Sequence, residues 1–196
     1  MQIKVDVSQA LEKLKAMSNA LSKEDNTLAL ARALNRTVQK SRTLSNREIR
    51  KEYNIKAADI NKTLDVQKAS RTNLDARLNS TGAALPLHYF APRKVKTGVT
   101  VSIMKGKRDR IERAFFLPNK KIVVARGRYN NSSFEFRTKR AKKRGSDTPI
   151  SKLLTASVPH AFASQNVQEQ FVPPLQVYLA ERLETELNYL MSKAGK

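Results

Sequence analysis

Ile3, Val5 and Val7 alternate with Lys4 and Asp6, the period-two pattern of a short half-buried strand. Ser8 then stands where a helix N-cap is wanted, and Leu11, Leu14, Met17 and Leu21 recur at three and four residues, forming one apolar stripe. A second, longer helical pattern runs from about Asp25, with Leu28, Ala31, Leu34, Val38 and later Ile49 on its apolar face. No Gly or Pro interrupts residues 1 to 81. Lys56 to Leu64 reads as a further short helix through Ala57, Ala58, Ile60 and Leu64, with Asn54 breaking it from the preceding element.

The period then changes. Leu64-Asp65-Val66 and Leu74-Asp75-Ala76-Arg77-Leu78 alternate apolar and polar, which predicts two strands joined near Arg71-Thr72-Asn73 and closed by Gly82. Strand patterns continue at Val99–Ile103, Ala114–Leu117, Ile122–Arg126 and Phe134–Phe136, separated by Gly106, Pro118-Asn119 and Gly127. From Gln165 the helical period returns, with Phe171, Leu175, Tyr178, Leu179, Leu183, Leu187 and Leu190 in one seam. Pro173 and Pro174 should break or kink that helix, so its regular part is expected to begin at Pro174. The class that follows is α+β: N-terminal helices and a closing C-terminal helix packed on a mainly antiparallel sheet, with extended basic loops. Along the chain this gives a single domain over 1–196. Its parts are a helical region 1–64, a sheet-rich region 65–136, a basic arm 137–149, and a C-terminal turn and helix 150–196.

Composition sharpens this picture at two points. The 196 residues are 40% hydrophobic, enough for one core of ordinary domain size, and none is Cys, so disulfides, thiolate nucleophiles and Cys-based metal sites are excluded. The 38 Lys and Arg against 17 Asp and Glu give a net charge of +21, far more than solubility asks for. Residues 93 to 144 alone hold 18 Lys or Arg and three acids, Asp109, Glu112 and Glu135, so most of the excess is one patch. Glu181, Glu184 and Glu186 make the last helix acidic by contrast, an asymmetry suited to pairing copies or partners by charge.

The patch can meet phosphates, dock on an acidic protein, or be a solvated surface. Its candidate contacts are Lys105, Lys107 and Arg108 around Gly106, and Lys139, Arg140, Lys142, Lys143 and Arg144 in the arm, where only Ala141 separates the cations. Five cations so close repel one another, so the expectation is an arm without fixed structure until a negative partner neutralises it. No zinc-finger spacing, helix-turn-helix or basic-zipper heptad is present, so contact with nucleic acid would be sequence-independent and salt-sensitive. Strand alternation makes Phe134 and Phe136 core residues rather than base-stacking platforms.

Catalysis has little to stand on. His88 and His160, the only histidines, lack neighbours at metal-ligand spacing, and Lys105-Gly106-Lys107-Arg108 lacks the pattern of a phosphate loop. The scattered carboxylates, Asp147 among them, form no recognisable nuclease cluster. The expectation is a non-enzyme without metal or cofactor. The N-terminus carries no signal-peptide apolar run and no segment approaches the length of a membrane helix, so synthesis and use in the cytosol are expected.

Two segments carry a resemblance. The first is Leu85-Pro86-Leu87-His88-Tyr89-Phe90, followed by Gly98-Val99-Thr100-Val101-Ser102-Ile103-Met104-Lys105-Gly106-Lys107-Arg108 and Ala114-Phe115. The second is Ile150-Ser151-Lys152-Leu153-Leu154-Thr155-Ala156-Ser157-Val158-Pro159, followed by the closing helix with Leu183, Glu186, Leu187 and Leu190. With the N-terminal helices before them, these resemble the minor tail protein Z family of lambda-like prophages, over essentially the whole chain. The sequence departs at Thr155-Ala156, where members often have Gly-Pro before Ser-Val-Pro, so a different turn is expected there.

The resemblance implies a structural virion protein of a tailed bacteriophage, assembled late in the host cytoplasm. It would complete the tail at its head-proximal end and support head–tail joining and DNA passage. It implies no cofactor and no catalysis. Its partners would be further copies in a ring, the tail terminator or tail tube, head-joining neck proteins, and phage DNA held without sequence preference. The seam Leu175, Leu179, Leu183, Leu187 and Leu190 serves either that oligomer or the chain's own core, against the sheet. The alternative is a cytoplasmic, sequence-independent RNA- or DNA-binding protein, for which pI ≈ 10.5 and the arm speak.

Overall fold

A computed structural model describes residues 22–117, 123–130, 133–136 and 150–194, with backbone alone for 125–130, 133–136 and 194. The strand expected at Ile3–Val7, the helix expected after Ser8 and the basic arm 137–149 lie outside the described residues, as do the side chains of Phe134 and Phe136. The α+β class holds. The chain divides into two compact units, one made of 1–50, 56–82 and 158–196, the other of 51–55 and 83–157.

The first unit is built on α1 (Lys23–Glu52). Ser22 caps it: its hydroxyl accepts from the Asp25 amide at 3.1 Å and donates to the Asp25 carboxylate at 2.7 Å, while Glu24 and Asp25 place negative charge at the positive end of the helix dipole. Of the expected apolar face, Ala31, Val38 and Ile49 are buried, whereas Leu28 and Leu34 are only partly covered and Ala29, Leu30 and Ala33 are buried beside them. Further along, polar residues share the covered face with Val38 and Ile49. Thr37, Ser41 and Ser45 donate their hydroxyls back to the carbonyls of Ala33, Val38 and Arg42, and the Asn46 amide reaches Ala57 O at 3.2 Å and Asn61 Oδ1 at 2.9 Å. Those last bonds fasten α1 to α2 (Ala57–Thr63).

From α2 the chain passes into β1 (Leu64–Gln67), antiparallel to β2 (Arg77–Ser80) with Val66 opposite Leu78. The second strand starts three residues later than expected. The Ser70 hydroxyl accepts from Asn73 N and the Ser70 amide donates to Asn73 O, forming a turn, and the Arg77 Nε donates to Asp75 at 2.6 Å, so Leu74 is left exposed.

The unit closes with α3 (Val158–Ala163) and α4 (Gln165–Ala194). Leu175, Leu179, Leu183, Leu187 and Leu190 are all at most 6% exposed. The last four share a cluster with Ala29, Leu30 and Ala33, so the seam is core, and its partner is α1 rather than a sheet. Each such leucine contributes roughly 1.5–3 kcal/mol of burial. A second correction concerns the start of this helix, which lies at Gln165, with Pro173 and Pro174 inside it. Two prolines forfeit two backbone hydrogen bonds and cost ~3 kcal/mol or more apiece. Packing on both sides of them offsets this: Phe171 and Leu175 are fully buried, and Phe171 lies 5.8 Å, ring to ring, from buried Phe162 of α3.

The second unit contains β3 (Ala84–Pro86), a 3-10 turn (Leu87–Tyr89), β4 (Arg93–Val95), β5 (Gly98–Val101), β6 (Asp109–Glu112), β7 (Phe115–Phe116), β8 (Val123–Asn130), β9 (Ser133–Phe136), β10 (Ile150–Lys152) and β11 (Leu154–Ser157). Instead of one sheet, the described strands of the whole chain form four small antiparallel ones: β1-β2, β4-β5-β6, β11-β3, and β10-β8-β7 with β9 also on β8. Edge strands β4 and β6 expose Arg93, Lys94, Arg110 and Glu112, charges that discourage further strand addition.

Candidate polyanion-binding site

Two stretches distant in sequence, Leu85–Phe90 and Ile150–Ser157, meet in the second unit. β3 pairs with β11 through Pro86 opposite Leu154 and Ala84 opposite Ser157, and the Leu87 amide donates to Leu153 O at 3.0 Å. Leu153 in turn donates to Val123 O at 3.1 Å. Leu87, Phe90, Val99, Val101 and Leu153 are buried, so the apolar positions of this region are packing positions. The register shifts between Leu154 and Ser157, which places the departure at Thr155-Ala156 within an irregular strand rather than a turn.

His88 stands on the 3-10 turn, tilted against the Tyr89 ring at 4.7 Å, with its Nδ1 buried and unpartnered. Burial first, and the nearby Lys152 charge second, push its pKa below the ordinary histidine value. His160 is exposed on α3. Among the described residues no group of three or more His, Asp or Glu is placed to hold a metal ion.

Lys105, Lys107 and Arg108 follow β5 in a turn where Gly106 takes φ +74°. The turn is tied from inside. Asn54 donates to Ser102 O at 3.0 Å and to the Ser102 hydroxyl at 2.9 Å, and that hydroxyl donates to Lys107 O at 2.9 Å. Two of the three candidate cations are engaged: Lys107 pairs with Asp109 at 3.4 Å, and Arg108 donates to Ala91 O at 3.2 Å and Thr100 Oγ1 at 3.3 Å. All three remain exposed to a partner. Exposed Arg93, Lys94, Lys96, Arg110 and Arg113 extend the basic character of this unit. Lys139, Arg140, Lys142, Lys143 and Arg144 lie outside the described residues.

A second basic surface, in the first unit, escaped the sequence reading. Arg32, Arg36 and Lys40 of α1, Lys68 after β1, and Tyr178 and Glu186 of α4 line an open groove of about 830 Å³. The local signal was the spacing of Arg32, Arg36 and Lys40 at i, i+4 and i+8, which puts them on one helix face. Its other wall comes from segments distant in sequence. No protein-family model, curated protein or solved structure matches this chain.

Proposed function

We propose that this chain is a structural, non-catalytic protein of a tailed bacteriophage, completing the tail at its head-proximal end and supporting head–tail joining and DNA passage. One observation carries the reading. The segments Leu85–Phe90 and Leu153–Ser157, far apart in sequence and both part of the resemblance, are bonded neighbours with Leu87, Phe90 and Leu153 buried between the strands and turns they form. The likeness therefore describes one packed structure instead of scattered matching residues.

Copies of the chain would form a ring among the tail terminator or tail tube and the neck proteins. The leucine seam has no spare apolar face for this, being buried inside the chain. Contacts between subunits and with neck proteins fall instead to charge: the exposed cations of the second unit, with the arm, against acidic faces such as that of exposed Glu181 and Glu184 on α4. Among the described residues no helix is long and apolar enough to cross a membrane.

Immunogold labelling of phage particles with antibody against the purified protein tests the proposal, with gold expected where the tail meets the head. Particles without label, together with monodisperse monomers coating nucleic acid in negative stain, would replace it by the nucleic-acid-binding alternative.

A further inference from the structure

The groove of the first unit presents more positive charge than its single carboxylate, that of Glu186, neutralises. Arg32, Arg36 and Lys40 stand at successive i, i+4 positions of α1, about 6 Å apart along the axis, where like charges destabilise a helix. Lys68 faces them from the segment after β1, and its position is fixed by its neighbour. The Asn35 side-chain amide donates to Ala69 O at 2.9 Å and its carbonyl oxygen accepts from Ala69 N at 2.7 Å, clamping that segment to α1. Lys40 is held over the Tyr178 ring, 5.6 Å from its centroid. Of the four cations only Arg32 has an acidic partner among the described residues, Glu186 at 3.8 Å, and Glu186 is shared with Arg182 at 3.3 Å. Arg32, Arg36, Lys40 and Lys68 are all exposed.

We infer that this groove binds the sugar–phosphate backbone of a nucleic acid, without reading sequence, through Arg36, Lys40 and Lys68. The lining decides between a nucleic acid and an acidic protein. Beside the cations stand Gln39 and Thr43, neutral groups of the kind that contact phosphates, and Tyr178 is the one large apolar body. A protein partner would need buried aromatic or aliphatic anchors, and the groove has no pocket walls of that kind to receive them. Three phosphates held by three cations release the counterions condensed on them, and binding then weakens steeply with salt. The inference stands on the groove alone and holds wherever in a particle or a cell the protein acts.

The test is fluorescence anisotropy of the full chain with a labelled mixed-sequence duplex and with its single strand, across a salt series. The combined variant Arg36→Gln, Lys40→Gln, Lys68→Gln should make the slope of log K against log salt shallower by about 2.7 on the duplex and about 2.1 on the single strand. Its thermal midpoint should stay close to the parent's, because all three side chains are exposed and loss of the Lys40–Tyr178 contact is offset by relief of the Arg36–Lys40 repulsion. Glu186→Gln works in the opposite direction, freeing Arg32 and steepening the slope by up to about 0.9 on the duplex, a gain that misfolding does not produce. An unchanged slope in the combined variant overturns the inference, and so does a slope in Glu186→Gln no steeper than the parent's. Binding to poly-glutamate that is lost in the combined variant while DNA binding persists also overturns it, and makes the groove a protein-docking surface.

Discussion

Gly98 opens β5 opposite Glu112 of β6, and the backbone passes so close there that a Cβ on residue 98 would sit 2.1 Å from the Ile111 carbonyl oxygen and 3.0 Å from Glu112 Cα. Both obstacles are backbone, so no rotamer change relieves the contact. Gly98→Ala must push β5 and β6 apart by roughly 1 Å, which stretches an N–H···O bond of about 2.9 Å beyond the range in which it counts as one. Losing about two ladder bonds at ~1 kcal/mol each, and loosening the packing of buried Val99 and Val101, costs about 3 kcal/mol. For a chain of this size that lowers the thermal midpoint by roughly 6–12 °C. Gly106→Ala is the matched control: φ is +74° but nothing lies within 4 Å of the added carbon, so only the torsional cost of about 1–2 kcal/mol applies. Far-UV circular dichroism melts, with amide exchange of Val99 and Val101 as the local readout, measure both variants. A Gly98→Ala midpoint within about 2 °C of the parent, or a larger loss in Gly106→Ala, refutes the steric argument.

Leu183→Ala should cost about 2–5 kcal/mol by opening a cavity between α4 and α1, with the sedimenting mass unchanged; a fall in mass at parental stability would make the seam an interface between copies. Asn35→Ala leaves the Ala69 amide and carbonyl unpaired at a buried position and should cost about 2–3 kcal/mol, with faster exchange of the Ala69 amide as its specific sign. His88 gives a pH signature. Its folded pKa lies below the unfolded value of 6.5, so above that value both states are neutral, and as pH falls from there through the folded pKa the unfolded chain binds the extra proton and stability declines. His88→Gln should flatten that part of the midpoint-against-pH curve while leaving particle infectivity nearly unchanged; an unaltered curve, or normal-looking particles that do not infect, would show that His88 has another role.

The sequence by itself determined the features that depend on composition and short-range period: the +21 charge and its concentration, the exclusion of cysteine chemistry, the long helix after Asp25, and the leucines that had to be buried. Periodicity reports which face of an element is covered and is silent about what covers it. The partner of the leucine seam, α1 rather than a sheet, was therefore a tertiary decision. Strands of three or four residues span barely two periods of alternation, too few to distinguish them from loop, so β3, β4, β6, β10 and β11 and the division into four sheets emerged only in the fold. Pro173 and Pro174 signal a local break that the whole covered face overrides, because burying Phe171 together with Leu175, Leu179, Leu183, Leu187 and Leu190 outweighs what the two prolines cost. The groove is the clearest case. Arg32, Arg36 and Lys40 share a helix face by spacing alone, but Lys68 joins them only because Asn35 binds the Ala69 backbone, and Glu186 because α4 packs on α1. A charge run can be counted along the chain; a charged concavity exists only once distant segments are brought together.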